Sequence, residues 1–373
     1  MNIGLIGFGF MGKTHTYAIN NLGLYYDDAA PDAVVAGVCT SKKETATDAA
    51  RRYRIPLATT DEDALITSPD IDVIDVCTPN SLHYSTVKKA LEHKKHVYCE
   101  KPLAVTYAQA RELSELAEKQ GVVAQVVFNY RFMGGVQRAK QLLDEGRLGR
   151  ILSFRFSYRH DSCLYPQKPA GWKQDAREGG GVLHDLGSHA VDLCHYLLGE
   201  FAEVSGRAQI AFPTRIGRDG SPWQTNAEEA FYMTAALKSG AVGTVEASKL
   251  DHGTNDGLSF EIFGERGAIT YSLMQPNYLR FYDGERASGE LGGERGFTDL
   301  ECVGRFAAPG GRFPAIKAPT GWLMGHVGSM FAFLDAVQNG KKASPSFDEG
   351  AYTQYVLDRA KESDAQRGVF LTV

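Results

Sequence analysis

Lys101, Asp185 and His189 are the side chains of this sequence best suited to move protons and to stabilise charge on oxygen. An imidazole titrates near neutral pH, so His189 can take a hydroxyl proton while hydride leaves the adjoining carbon. Asp185 lies four residues earlier on the same expected helix face. There it can orient or charge-stabilise the imidazole, or bind a substrate hydroxyl. Lys101, in Glu100-Lys101-Pro102, directly follows the apolar run His96-Val97-Tyr98-Cys99. An ammonium at the end of such a strand can polarise an alcohol or carbonyl oxygen as charge develops. An Asp and a His four apart make an ordinary helix-surface pair, and Lys-Pro makes an ordinary turn. What gives them weight is their joint occurrence, in this order, downstream of a turn built for phosphates.

That turn is Gly7-Phe8-Gly9-Phe10-Met11-Gly12, between the first apolar strand and the first helix. Gly7 permits a tight turn, Gly9 lets backbone approach a pyrophosphate, and Gly12 lets the helix pack close to the sheet. The helix N-terminus then offers N–H groups and partial positive charge to an anion. An acid that grips the adenosine ribose should end the second strand, but that strand runs into Cys39-Thr40-Ser41-Lys42-Lys43. Ser41 and Lys42 could hold a 2′-phosphate, which favours NADP. Equally, NAD could be held by backbone and hydroxyl contacts around Thr40, and both readings stay open. His184, Asp185, His189 and His195 are not expected to form a metal site. His195 stands about 600° around the helix from His189, on another face.

The elements that must position these residues follow from periodicity. Over 2–128, short apolar strands (2–6, 33–39, 73–77, 96–99, 122–128) alternate with helices (11–20, 42–53, 84–92, 107–119), which implies βαβ units and a parallel sheet. After Tyr130 the pattern changes. A helix at 135–145, a strand at 151–158 and a helix at about 182–198 precede strands at 230–237, 241–248, 259–263, 268–273 and 278–282, joined by tight turns. The expected fold is therefore α/β, with an N-terminal Rossmann doubly wound parallel sheet (1–128) and a C-terminal α+β domain (129–373) with a large, mostly antiparallel open-faced sheet. The Gly- and Pro-rich stretch 284–320 reads as a long loop. Helices at 326–339 and 351–363 and a strand at 369–373 close the chain. Val327, Met330, Phe331, Leu334 and Val337 share one face of the first of these helices.

Bulk properties narrow the field. The length of 373 residues favours two domains. A net charge of −5 gives no electrostatic reason to expect nucleic acid or an anionic membrane as partner. No apolar run approaches the roughly 20 residues that span a bilayer. The first strand begins at Ile3, which is read as leaving no room for a signal peptide, and the cytoplasm is the expected location. Six cysteines lack any Cys-x-x-Cys spacing and read as buried free thiols.

Taken together, the glycine turn, Cys77-Thr78-Pro79-Asn80-Ser81-Leu82-His83, Glu100-Lys101-Pro102 and the run Gly179-Gly180-Gly181-Val182-Leu183-His184-Asp185-Leu186-Gly187-Ser188-His189-Ala190-Val191-Asp192 resemble the glucose–fructose oxidoreductase, inositol dehydrogenase and MocA family over essentially the whole chain. The strand at 151–155 and the loop Lys168-Pro169-Ala170-Gly171-Trp172 look most like its levoglucosan-dehydrogenase and glycoside-3-dehydrogenase branch. The resemblance implies a nicotinamide cofactor, with NAD favoured over NADP, a pyranose or glycoside oxidised at its third carbon, and a homo-oligomer built through the sheet. It assigns proton transfer and oxyanion stabilisation to Lys101, Asp185 and His189. It extends cofactor contact beyond the glycine turn to Thr78, Pro79, Asn80, His83, Glu100, Lys101, Pro102, Asn129 and Trp172. Substrate contact is expected from Lys101, Arg131, His160, Trp172, Asp185 and His189. Two alternatives stand beside it: a glycosidase working by oxidation and elimination on tightly held NAD, and a non-catalytic dinucleotide sensor that binds a protein partner.

Overall fold

The alternation of apolar strands and helices over the first third of the chain produces one parallel sheet in the computed structural model, which describes residues 1–311 and 313–373. Its strands are β1 (Asn2–Ile6), β2 (Val34–Cys39), β3 (Leu57–Thr59), β4 (Val73–Val76), β5 (His96–Cys99) and β6 (Ala124–Val126). They lie in the order β3-β2-β1-β4-β5-β6, every neighbour parallel. Helices α1 (Phe10–Tyr26), α2 (Lys43–Tyr53), α3 (Asp63–Ile66), α4 (Asn80–Glu92) and α5 (Tyr107–Gln120) make the crossovers. The strand order reverses between β1 and β4, the place where open sheets of this kind seat their ligands. The turns after β1, β4 and β5 therefore open along one edge of the sheet. β3 and α3 escape the sequence pattern because each is a single short turn or strand.

The other sheet has nine strands: β7 (Ile151–Arg159), β8 (Phe201–Gln209), β11 (Ala230–Leu237), β12 (Val242–Ser248), β13 (Gly257–Gly264), β14 (Gly267–Ser272), β15 (Tyr278–Asp283), β16 (Phe297–Glu301) and β17 (Leu371–Thr372). A separate pair, β9 (Thr214–Ile216) and β10 (Pro222–Gln224), forms a small hairpin. All pairings in the large sheet are antiparallel except β12 with β7. Helices α6 (Gly134–Asp144) and α7 (Ser188–Leu198) cover one face, α6 on β14 and β15 and α7 on β7 and β12. The opposite face carries exposed ion pairs such as Arg155–Glu261 and Arg280–Asp299. The expected architecture is thus the observed one.

The structure differs from the sequence expectations in two places. The stretch 284–320 contains β16, an edge strand on β15 whose residues alternate between exposed and half-buried. Its polar alternation between Gly-rich flanks disguises it as loop. The division of the chain also departs from a cut at residue 128. One compact unit comprises Met1–Phe132, Ala308–Pro314 and Trp322–Gln354; the other comprises Met133–Ala307, Ala315–Gly321 and Tyr355–Val373. Helix α8 (Trp322–Asn339) belongs to the first because Val327, Met330, Phe333 and Leu334 pack into one core with Ile3, Leu5, Ile19 and Val38. The last helix, α9 (Phe347–Ala365), starts in the first unit, where Phe347 and Ala351 join the core around β4 and β5. Among the described residues, no helix is long and apolar enough to cross a membrane.

Candidate active site

The first unit contributes the glycine turn. Gly7 has φ +96°, and a Cβ there would stand 2.5 Å from the Cys77 carbonyl oxygen; Gly12 would place a Cβ 2.4 Å from the Gly7 oxygen. Both positions admit glycine for reasons internal to the fold. Gly9 differs, since a Cβ there would meet nothing within 4 Å. It is also the N-cap of the 17-residue α1, with no side-chain cap and no acid in the first turn. The open backbone and the uncapped N–H groups suit a pyrophosphate. Two buried polar atoms lacking a protein partner, Thr78 Oγ1 after β4 and Asn129 Nδ2 after β6, add to the fit of a dinucleotide.

The remaining expected cofactor residues are placed as follows. Phe8 is buried with its ring against Tyr53, while Phe10 is exposed and stacks on Trp322 with centroids 5.6 Å apart. Met11 lies in the first turn of α1. Pro79 caps α4 and Asn80 is buried at its first position. At the end of β2, the Thr40 hydroxyl donates to the Lys42 carbonyl at 2.8 Å, and Ser41 and Lys42 are exposed. His83 ties two turns together, its ring nitrogens 2.7 Å from the Pro102 carbonyl and 3.0 Å from that of Thr78. Burial lowers the His83 pKa, opposed by the two backbone carbonyls its ring meets. Arg131, an expected substrate contact, lies in the turn after β6. Its buried guanidinium is paired with Glu349 in the same unit, next to the Ser344 hydroxyl.

Below the Glu100-Lys101-Pro102 turn lies a set of buried charges that sequence reasoning missed. His15, on α1, sets Nδ1 2.9 Å from Asp75 Oδ1 and Nε2 3.1 Å from Glu100 Oε1. The Cys77 Sγ lies 3.1 Å from the same Nδ1. Burial alone would lower the His15 pKa, but the Asp75 carboxylate and Cys77 outweigh it and hold it well above the usual histidine value. Burial would raise Glu100, but His15 and then Lys101 and His326 hold it below the usual carboxylate value. His15, Asp75 and Cys77 bring ligand atoms within 4.8 Å of one another, a grouping absent from the sequence expectations. A signal was present: Asp75 is the one charged residue in the otherwise apolar strand Val73-Ile74-Asp75-Val76.

The second unit contributes Asp185 and His189. The segment Leu183–Gly187 is wound as a π-helical turn that runs into α7. Such turns recur at functional sites. Glu228 caps its start, accepting from the Leu183 N–H at 3.0 Å. The preceding glycines are forced by close approach, since a Cβ on Gly180 would lie 2.6 Å from the Trp172 carbonyl oxygen. That contact holds the Trp172–Gln174 turn against the helix start. From this turn Lys173 reaches Asp185 Oδ2 at 2.8 Å, and its ammonium also lies 5.6 Å from the Trp172 ring centroid. Lys249, buried at the end of β12, reaches the same oxygen at 2.6 Å. His189 is buried with its ring 5.9 Å from that of Tyr158. The Tyr158 hydroxyl donates to Asp256 at 2.5 Å, and His160 meets the same carboxylate oxygen at 3.2 Å. His160 is thus tied to Asp256 and stands beside the His189 neighbour Tyr158. Lys249 was not foreseen, although a lysine closing an apolar strand was there to be read. All six cysteines are free, and all but the half-buried Cys77 are buried.

Residues 1–128 match the oxidoreductase family with an NAD-binding Rossmann fold, and residues 136–270 match the GFO/IDH/MocA C-terminal domain. The levoglucosan dehydrogenase of Pseudarthrobacter phenanthrenivorans is 32% identical over 98% of this chain and 96% of its own length. The glucose-6-phosphate 3-dehydrogenase of Bacillus subtilis is 26% identical over 97% of this chain and 96% of its own. A solved levoglucosan dehydrogenase in complex with NADH and levoglucosan shares a TM-score of 0.95 and 31% identity, covering 100% of this chain and 99% of that one. With its glycine turn, its lysine after β5 and its Asp-x-x-x-His helix, the chain belongs to the GFO/IDH/MocA family of oxidoreductases, whose Rossmann domain binds NAD and whose named members include these sugar dehydrogenases.

Proposed function

We propose that this protein is an NAD-dependent dehydrogenase that oxidises a secondary alcohol of a pyranose or glycoside, at the third carbon of the sugar. The observation that carries the reading is the company kept by the dinucleotide turn. The same chain carries Lys101, Asp185 and His189, residues suited to a proton relay that a sensor would not require. NAD held at Gly7–Gly12, Thr78 and Asn129 would supply the hydride acceptor. His189 takes the hydroxyl proton as the carbon–hydrogen bond breaks, and returns it when the carbonyl is reduced. The Lys101 ammonium stabilises negative charge on the reacting oxygen. Asp185, gripped by Lys173 and Lys249, presents an ordered carboxylate that orients a substrate hydroxyl or the imidazole. The likeness to levoglucosan dehydrogenase and glucose-6-phosphate 3-dehydrogenase supports the sugar and the third carbon. A homo-oligomer formed through the exposed sheet face, and residence in the cytoplasm, belong to the same reading.

The test is turnover of purified protein with NAD across a panel of pyranoses and glycosides, following reduced cofactor and sugar products together. Keto-sugar and reduced cofactor in equal amounts are expected. Free aglycone without net reduced cofactor would replace this reading with oxidation and elimination, and no turnover with any sugar would leave the sensor. Lys101→Ala and His189→Ala should each lower kcat by about 10²- to 10⁴-fold while NAD still binds. Near-normal rates in both would remove these residues from the chemistry.

A further inference from the structure

We propose that His15, Asp75 and Glu100 act as a buried charged brace that positions Lys101. His15 rises from α1, three residues beyond the last glycine of the turn. Its imidazole lies between two carboxylates, with Asp75 Oδ1 and Oδ2 at 2.9 and 3.1 Å from Nδ1 and Glu100 Oε1 at 3.1 Å from Nε2. A carboxylate on each nitrogen favours a hydrogen on both, and so holds the ring as an imidazolium. The second oxygen of Glu100 accepts from the backbone N–H of Lys101 at 3.2 Å. One carboxylate thus fastens the peptide of Lys101 to a cation on the helix that opens at the glycine turn. The chain of contacts runs from α1 through His15 and Glu100 to Lys101 in two hydrogen bonds, all inside one unit.

Stability alone gives a weak reason for this arrangement. Burying an ion costs several kcal/mol, and well-packed apolar residues of similar volume are often as stable as a buried ionic group. The groups facing His15 come from four other segments: Asp75 from β4, Cys77 just after it, Tyr98 and Glu100 from β5 and its turn, and His326 from α8 with its ring centroid 6.0 Å away. The two carboxylates among them, Asp75 and Glu100, favour the imidazolium. The brace is therefore closed through neutral pH and opens as pH rises through the elevated His15 pKa.

This inference rests on the catalytic reading of Lys101, and the experiment separates the two. Glu100→Gln, His15→Gln and the double variant are compared with Lys101→Ala in kcat, KM, NAD affinity and thermal stability. Each single brace variant should lower kcat by about 10- to 100-fold, the scale of a misplaced reacting group, with NAD affinity and KM changed by less. The double variant, whose amides can bond to each other, should lose no more than the worse single one. The His15 imidazole, followed by NMR of labelled histidine, should titrate at lower pH in Glu100→Gln than in the parent. Should His15→Gln fail to fold, Glu100→Gln carries both readouts. Parental kcat in Glu100→Gln, beside an inactive Lys101→Ala, overturns the brace and leaves the lysine. An active Lys101→Ala fails the catalytic reading instead. A stoichiometric metal in the purified protein, with activity lost to a chelator, would also overturn the brace, because His15, Asp75 and Cys77 would then be ligands.

Discussion

Replacing Gly7 and Gly9 by alanine should separate the structural duties of the glycine turn from its binding duty. At Gly7 the backbone has φ +96°, and the new Cβ would stand 2.5 Å from the Cys77 oxygen and 2.7 Å from its carbonyl carbon. An L-residue with left-handed backbone costs about 1–2 kcal/mol. Overpacking against main chain that cannot swing aside adds about 1–3 kcal/mol. Gly7→Ala should therefore destabilise the cofactor-free protein by about 2–5 kcal/mol, which at about 2–4 °C per kcal/mol is a fall in Tm of many degrees. Gly9 has φ −80°, and an added Cβ meets nothing within 4 Å. Alanine there removes unfolded-state freedom, so Gly9→Ala should leave the cofactor-free Tm unchanged or raise it slightly, by up to about 1 kcal/mol. The methyl would occupy the space a pyrophosphate needs beside the α1 N-terminus. Loss of one charge-assisted contact there, about 1.5–3 kcal/mol, weakens NAD by roughly 10- to 150-fold. Differential scanning of the cofactor-free variants and calorimetric titration with NAD measure both quantities. Parental NAD affinity in Gly9→Ala would refute the placement of the pyrophosphate, and equal Tm losses in the two variants would refute the geometric distinction.

Two further outcomes follow from the ion pairs. Lys249→Met removes the buried partner of Asp185 and should cost about 3 kcal/mol, whereas Lys173→Met removes an exposed partner and should cost at most about 1 kcal/mol; equal losses in urea unfolding would show that burial does not distinguish the two lysines. Arg131→Met removes the cationic partner of the half-buried Glu349. Burial would raise the Glu349 pKa, but Arg131 holds it below its usual 4.5, so the stabilisation is present above that value and is lost as pH falls through the depressed one. The stability gap between parent and Arg131→Met should then narrow on acidification, and a gap that stays constant from roughly pH 7 to 3 would rule out this pairing as its cause.

Local periodicity made the first sheet legible because its strands are short apolar runs bounded by helices whose apolar positions repeat at helical spacing. It failed where an element has little apolar signal of its own. β16 buries no side chain fully, and β9 and β10 have three residues each. The packing of helix α8 was hidden for a different reason. Helix α8 shows its apolar face in the sequence, but a face does not name its partner. Only the packing of Val327, Met330 and Phe333 against Ile3, Leu5 and Ile19 assigns the helix to the first unit.

The site follows the same logic. Gly7–Gly12, Glu100–Pro102 and Gly179–His189 are contiguous runs, so their chemistry could be read along the chain. Their supports join residues far apart in sequence: His15 with Glu100 across 85 positions, Lys249 with Asp185 across 64, and Arg131 with Glu349 across 218. Each is a buried or half-buried charge meeting its opposite, and composition cannot pair them. One rule does survive. A charged residue inside an apolar strand or at its end, as Asp75 and Lys249 are, cannot remain buried alone, because an isolated buried ion costs far more than any single contact returns. Such a residue therefore announces a partner before the partner is known. In this chain both partners lead to the residues assigned to catalysis: Asp75 through His15 and Glu100 to Lys101, and Lys249 directly to Asp185.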